Sequence, residues 1–292
     1  MNDFVEKLRS LPEKERIAAS STFRWIGYTQ SDEILQKMEF LKNYPTSLRM
    51  PNILLVSDSN NGKTRILDRF KMLNKSYIND LNGELHIPTL YLEAPVEPDE
   101  RRFYNLILEA LFAPINPSER IEIKQSRVIH LLKKTNVKLL MIDEIHHVLA
   151  GTMNKQRTFL NIIKSLSNNM KISFVCAGTK AAFNAINTDT QLINRFEPYI
   201  LNNWHYNNEY SKLLKSFEQV LPLKKKSDLT NTNLSKQILF KSEGLLGEIS
   251  KIIELSSILA IESGHEKIDL KILEEIRFTV PSKRNKEDFI LR

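Results

Sequence analysis

Lys63 and Thr64 close the run Ser57-Asp58-Ser59-Asn60-Asn61-Gly62-Lys63-Thr64, which follows the apolar stretch Ile53-Leu54-Leu55-Val56 and precedes the helix-like Arg65-Ile66-Leu67-Asp68-Arg69-Phe70. Placed between a strand and a helix, such a loop can wrap a di- or triphosphate in backbone N–H groups. The helix N-terminus adds a favourable dipole, Lys63 adds a charge, and the Thr64 hydroxyl can hold Mg²⁺. Ser57, Asn60, Asn61, Gly62, Lys63 and Thr64 are therefore the candidate nucleotide-binding residues. Ser57 stands where the first glycine of G-x-x-x-x-G-K-[ST] normally sits, so the loop must adopt a geometry that a Cβ tolerates or accept strain.

A second chemical element follows at Val137-Lys138-Leu139-Leu140-Met141-Ile142, which ends directly in Asp143-Glu144. A nearly all-apolar run suits a parallel strand buried on both faces, and ligands of open α/β sheets sit at the C-terminal strand ends. This is a Walker B pattern: Asp143 would reach the Mg²⁺ and Glu144 would polarise the attacking water. Alone, the pair could be an ordinary solvated strand-to-loop junction; the loop at Lys63 argues for the chemical role. His146-His147 is a weak metal signal, because adjacent positions are not expected to converge on one ion.

The elements that must position these groups fit a chain of 292 residues with 41% apolar and 26% charged residues, enough for one large or two modest domains. A net charge of +7 favours a polyanionic partner, whether nucleotide, nucleic acid or acidic protein. Cys176 is the sole cysteine and lies in the strand-like Ile172-Ser173-Phe174-Val175-Cys176-Ala177, as a core residue. With no disulfide possible, no leader-like apolar segment and no membrane-spanning run, the expectation is a cytoplasmic protein.

Residues 1–48 read as a helical lead-in in which Ser31 caps an amphipathic stretch through Phe40-Leu41. Residues 49–205 read as an α/β core, with Arg49-Met50-Pro51-Asn52 introducing the first strand and further strands at 89–93, 137–142, 171–177 and 198–202. Residues 206–280 show only helical periodicity, as at Leu245-Leu246, Ile249, Ile252-Ile253 and Leu255, and 281–292 form a weakly ordered basic tail. Lys224-Lys225-Lys226 fits a solvated loop. In the segment between the second and third strands, Arg120, Lys124 and Arg127 would share a helix face able to meet successive DNA phosphates, or simply a solvated one, with Lys133 and Lys134 nearby.

Arg24-Trp25-Ile26-Gly27-Tyr28, Arg49-Met50-Pro51-Asn52, Asn60-Asn61-Gly62-Lys63-Thr64, Ala177-Gly178-Thr179, Asn194-Arg195-Phe196-Glu197 and Gly244-Leu245-Leu246-Gly247-Glu248 together resemble the TniB/TnsC family of AAA+ transposition regulators. The resemblance covers most of residues 20–275. It implies an AAA+ P-loop parallel sheet with a C-terminal helical lid. It further implies an ATP- and Mg²⁺-dependent homo-oligomer on duplex DNA that links a target-selector protein to a DDE transposase. In that picture ATP lies between subunits, Thr179 takes the sensor-1 position, and Arg195 is the arginine finger unless it pairs with Glu197 or another local acid. Gly247 stands about where many such lids carry a sensor-2 arginine, a departure from the pattern; Gly244 and Gly247 would serve capping or close packing. Trp25 and Tyr28 would pack near the adenine or as plain core. Two other readings share the phosphate site: a DNA-binding scaffold with little turnover, and a helicase-loader or signalling ATPase.

Overall fold

Runs of apolar, β-branched residues bury both faces of a strand only when helices cover both sides of a parallel sheet. The computed structural model describes residues 2–22, 24–150, 152–186 and 194–284 and divides into two compact units. Glu33–Ser59 and Lys63–Leu201 form an α/β unit; Met1–Asp32, Asn60–Gly62 and Asn202–Arg292 form a helical one. The division passes through the phosphate loop itself.

In the α/β unit, β1 (Asn52–Val56) is followed by a small hairpin of β2 (Tyr77–Ile78) and β3 (Leu85–His86), which the sequence pattern did not signal. Then come β4 (Thr89–Glu93), β5 (Leu139–Asp143), β6 (Ser173–Gly178) and β7 (Phe196–Ile200). The five-stranded sheet has the order β4-β5-β6-β1-β7, and its neighbouring strands are all parallel. All residues of β1, β5 and β6 are buried, as their composition requires. β7 begins two residues before the expected 198, because Phe196 is buried and pairs with Asn52. Pro198 is tolerated there because β7 is an edge strand, where a missing N–H need not break a ladder.

Buried Asn52 ties the base of this sheet together. Its Oδ1 accepts from the Phe174 N–H at 2.8 Å, and its Nδ2 donates to the Arg195 carbonyl at 3.3 Å. One side chain thus joins β1 to the strands on both sides. Cys176 is a buried core residue whose thiol pKa burial raises.

The expected cap at Ser31 differs from what is found. The helix runs Thr29–Lys42, and Ser31 sits inside its first turn, with its hydroxyl donating to the Tyr28 carbonyl at 2.7 Å and accepting from the Tyr28 N–H at 3.0 Å.

The helical unit packs Tyr210, Leu214, Ile238, Ile249, Ile253 and Leu273 into one core. Asn207, Asn231 and Asp269 cap its helices through side-chain oxygens that accept first-turn N–H groups. Ile26 and Tyr28 of the lead-in pack on this core, with the Tyr28 ring edge-on to Trp204 at 5.2 Å. Of the expected basic tail, Pro281–Lys283 form a 3-10 turn and Arg284 pairs with Glu248, while 285–292 lie outside the described residues. Among the described residues no helix is long and apolar enough to cross a membrane.

Arg16 and Glu266 join the N-terminal helices to this unit through two 2.7 Å hydrogen bonds, both side chains being nearly buried. The Arg16 hydrogen bond holds the Glu266 carboxyl below its usual pKa. A depressed carboxyl contributes stability that is complete above its unfolded pKa of about 4.3 and is lost as pH falls through the lower folded value. Arg16→Ala should therefore destabilise the fold by about 3 kcal/mol at neutral pH, because it leaves a nearly buried carboxylate with only the more distant contacts of Lys224, its N–H at 3.3 Å and its ammonium at 3.9 Å. The deficit should shrink below about pH 4, which urea unfolding at several pH values measures.

Candidate nucleotide site

Lys63 begins the helix Lys63–Leu73 directly after the loop, and its ammonium is almost wholly buried. Nζ donates to the Ser57 carbonyl at 3.1 Å, the Ser57 hydroxyl at 3.0 Å and the Asp58 carbonyl at 2.9 Å. Burial lowers its pKa, while the charges of Glu144, Asp143 and Asp58 oppose that shift. Three neutral oxygens occupy the donors of a buried cation. Ser57, in the place of the usual glycine, is not among the residues with positive φ, so its Cβ brings no left-handed strain. Its hydroxyl donates to the Asp58 carbonyl at 2.8 Å, and its N–H extends the sheet by donating to Gly178 at 3.2 Å.

Asp143 ends β5, one strand removed from β1, and is buried. Its Oδ2 accepts from the Thr64 hydroxyl at 2.6 Å and the Tyr91 hydroxyl at 3.2 Å, and its Oδ1 from the Glu144 N–H at 2.8 Å. Burial and the nearby Asp143 carboxylate raise the Tyr91 pKa, keeping the phenol a donor. The sequence held no signal for Tyr91, whose place follows from the β4–β5 pairing.

Glu144 takes a left-handed φ of 51°, uncommon for a residue with a Cβ, and turns the chain into the 3-10 helix Ile145–Ala150. His146 Nδ1 lies 2.9 Å from Glu144 Oε2. Here the expectation about the two histidines fails: ligand atoms of Glu144, His146 and His147 all lie within 4.8 Å of one another. A tight turn entered from a left-handed residue brings together side chains that an ideal helix would splay.

Asn60, Asn61 and Gly62, counted with the helical unit, are held there at the start of the helix Leu246–Glu262. The Asn60 carbonyl accepts from the Gly247 N–H at 2.9 Å, and its Nδ2 donates to Glu248 Oε1 at 2.9 Å. Asn61 Oδ1 accepts from the Leu246 N–H at 3.1 Å, and its Nδ2 donates to the Asn202 carbonyl at 3.2 Å. Gly62 has φ 96°, which favours glycine, and the Tyr28 hydroxyl lies 3.8 Å from where its Cβ would be. Tyr28 is thus both core and a neighbour of the loop.

The expected basic face is corrected. Lys124 is fully buried in the helix Ile121–Lys134; its ammonium donates to the Asn105 side chain and to the Asn116 carbonyl. Arg127 turns to the Pro114 carbonyl at 2.8 Å and pairs with Glu119 at 3.2 Å. Spacing correctly set one face, but that face packs against the preceding segment. Arg120, Lys133 and Lys134 remain exposed. Arg195 donates to Asn168 Oδ1 at 2.8 Å; Glu197, its expected alternative partner, pairs with Lys37 at 2.7 Å. Thr179 follows β6, and its carbonyl accepts from the Ala182 N–H at 2.9 Å.

The profile of the family described as "Bacterial TniB protein" matches residues 16–206. This chain belongs to the TniB family. No curated protein matches it. Among solved structures it is similar to the Aeropyrum pernix Orc1 protein in complex with DNA, with 13% identity over 88% of this chain and 67% of that one, at a TM-score of 0.62. The Drosophila ORC bound to DNA is similar at 14% identity over 91% and 65% of the chains, with a TM-score of 0.56. The Saccharomyces cerevisiae Hsp104-ADP complex is similar at 17% identity over 88% and 34%, with a TM-score of 0.53. The fold is that of AAA+ ATPases.

The donor set of this TniB-family site fits Mg²⁺, because Thr64 and Asp143 offer hard oxygens already in contact. Lys63→Ala removes the one buried ammonium of the loop, and nucleotide affinity should fall at least about a hundredfold. Titration with a fluorescent ATP analogue measures this, with Thr64→Ala expected to weaken binding chiefly when Mg²⁺ is present.

Proposed function

We propose that this TniB-family chain binds and hydrolyses ATP, and that it assembles as a homo-oligomer on duplex DNA to regulate transposition between a target-selector protein and a DDE transposase. The observation that carries the reading is the convergence of Lys63, Thr64, Asp143 and Glu144 at the C-terminal ends of β1 and β5. Family membership supports the transposition role, and the DNA-bound condition of the Orc1 and Drosophila ORC structures supports DNA as the partner.

In the reaction, Lys63 exchanges backbone carbonyls for phosphate oxygens, gaining charged acceptors in place of neutral ones. Mg²⁺, held by Thr64 and Asp143, would supply charge neutralisation at the phosphates. Glu144 takes up the proton of the attacking water as the oxygen bonds to the γ-phosphorus and ADP leaves. His146 Nδ1 stands 2.9 Å from one carboxylate oxygen of Glu144, so a protonated imidazole would favour the carboxylate form. Thr179 would sense the γ-phosphate, and Arg195, whose Nη1 donates to the neutral Asn168 amide, would reach a neighbouring subunit's nucleotide.

Glu144→Gln should keep ATP bound while slowing multiple-turnover phosphate release by about a hundredfold or more, since the amide can orient water but not take its proton. Turnover at the parent rate would assign the base elsewhere. For DNA, the exposed pair Lys133 and Lys134 replaces Lys124 in the proposed interface, at the opposite end of the helix Ile121–Lys134 from Arg120. Changing both lysines to alanine should weaken duplex binding equally on unrelated sequences and reduce the salt slope by roughly two units, about one per phosphate contact. Fluorescence anisotropy across a salt series reads it.

A further inference from the structure

A buried carboxylate stands beside the phosphate loop, within the helical unit. Glu248 is 5% exposed and lies in the first turn of Leu246–Glu262. Its two oxygens carry three hydrogen bonds: Arg284 Nη1 to Oε1 at 2.7 Å, Arg284 Nη2 to Oε2 at 2.6 Å, and Asn60 Nδ2 to Oε1 at 2.9 Å. The Arg284 hydrogen bonds hold the Glu248 carboxyl below its usual pKa, so it is an acceptor for Asn60 at neutral pH. Arg284 is itself placed by the Thr279 carbonyl, which accepts from Nε at 3.0 Å, and by the Phe278 ring 5.4 Å from its guanidinium carbon.

Asn60 needs such support. It takes a left-handed φ of 59° although it carries a Cβ, three residues before Lys63. Such a conformation persists when surrounding contacts over-determine it. Here its carbonyl is fixed by the Gly247 N–H and its side chain by Glu248. Gly247 allows this approach, since a Cβ there would fall 2.0 Å from Asn60 Oδ1. The glycine leaves room for the amide.

We propose that Glu248 and Arg284 are positioning residues for the nucleotide, with Arg284 fixing Glu248, Glu248 fixing Asn60, and Asn60 holding the crown of the phosphate loop in its binding shape. The proposal rests on the nucleotide reading of that loop. Neither residue touches the phosphates; they act through Asn60. A loop already ordered in the free protein loses less entropy when it closes on a ligand, so its release weakens binding. Nucleotide affinity is then set in part from the C-terminal segment that carries Arg284.

The test is a double-mutant cycle on the full chain, read as the dissociation constant for mant-ATP with Mg²⁺. Thermal unfolding without nucleotide is recorded for every variant. Arg284→Ala and Asn60→Ala should each weaken binding about tenfold, the scale of one lost charge-assisted hydrogen bond. The double variant should be no weaker than the weaker single one, because residues acting in one chain are not additive. Gly247→Ala, which displaces the Asn60 amide without touching Arg284, should match Asn60→Ala. Arg284→Lys keeps the charge but not the paired geometry and should fall between parent and Arg284→Ala; it carries the cycle if Arg284→Ala does not fold.

Unchanged mant-ATP affinity in folded Arg284→Ala or Arg284→Lys overturns the proposal, as do fully additive losses. A merely structural arginine would lower the unfolding temperature and leave the cycle additive. Failure of the nucleotide reading looks different: the parent would bind mant-ATP no better than Lys63→Ala, and both proposals would fall together.

Discussion

A buried ammonium cannot go without oxygen partners, and the Lys63 environment answers that demand with three of them from only two residues, Ser57 and Asp58. The answer works only if β1 delivers the chain to the sheet edge at the right place. Asn52 anchors the start of that strand to both neighbours, and the Ser57 N–H carries the pairing with β6 past its end. The loop therefore leaves a fixed edge, and the cation turns back on carbonyls that are neutral and exchangeable. Among the described residues no carboxylate bonds directly to it; Glu144, Asp143 and Asp58 act on it through their fields. A direct ion pair would have to be broken before a phosphate could enter. Neutral carbonyls oppose that exchange less.

The second dependence is on strand order. With β6 lying between β1 and β5, Asp143 reaches Thr64 while Glu144 turns aside toward His146. Two adjacent acids thereby acquire different surroundings. Asp143 is buried and receives three donors, whereas Glu144 is half-exposed and meets one imidazole.

The helical unit imposes its own steric rule at Gly244 and Gly247. Gly244 has φ 72° and passes so close to Trp204 that a Cβ would lie 2.4 Å from its carbonyl oxygen, while Gly247 admits Asn60. A side chain at 247 would expel the Asn60 amide. Gly247 fills the close-packing role, and Gly244 serves both packing and capping, since its N–H also donates to the Leu239 carbonyl in the last turn of Thr232–Ser242 at 3.3 Å.

The sequence by itself determined the class of fold and marked out the candidate site. Ser57–Thr64 between an apolar strand and a helix, Asp143-Glu144 after another such strand, and the shift from mixed to helical periodicity are local patterns, and local sterics and dipoles are enough to write them. Tertiary structure decided everything that depends on which element lies next to which. Periodicity put Lys124 and Arg127 on one face but could not say that Asn105, Asn116 and Glu119 cover it. Sequence proximity offered Glu197 to Arg195 as a partner, yet Arg195 lies in the turn before β7 and donates to Asn168, while Lys37 from a distant helix pairs with the acid. Tyr91, Trp204 and Arg284 carried no local signal, since their roles come from strand register and contacts spanning tens to hundreds of residues. A chain writes its phosphate chemistry in short motifs because a phosphate is bound by consecutive backbone groups, whereas the supports of that site are assembled from remote segments that only packing brings together.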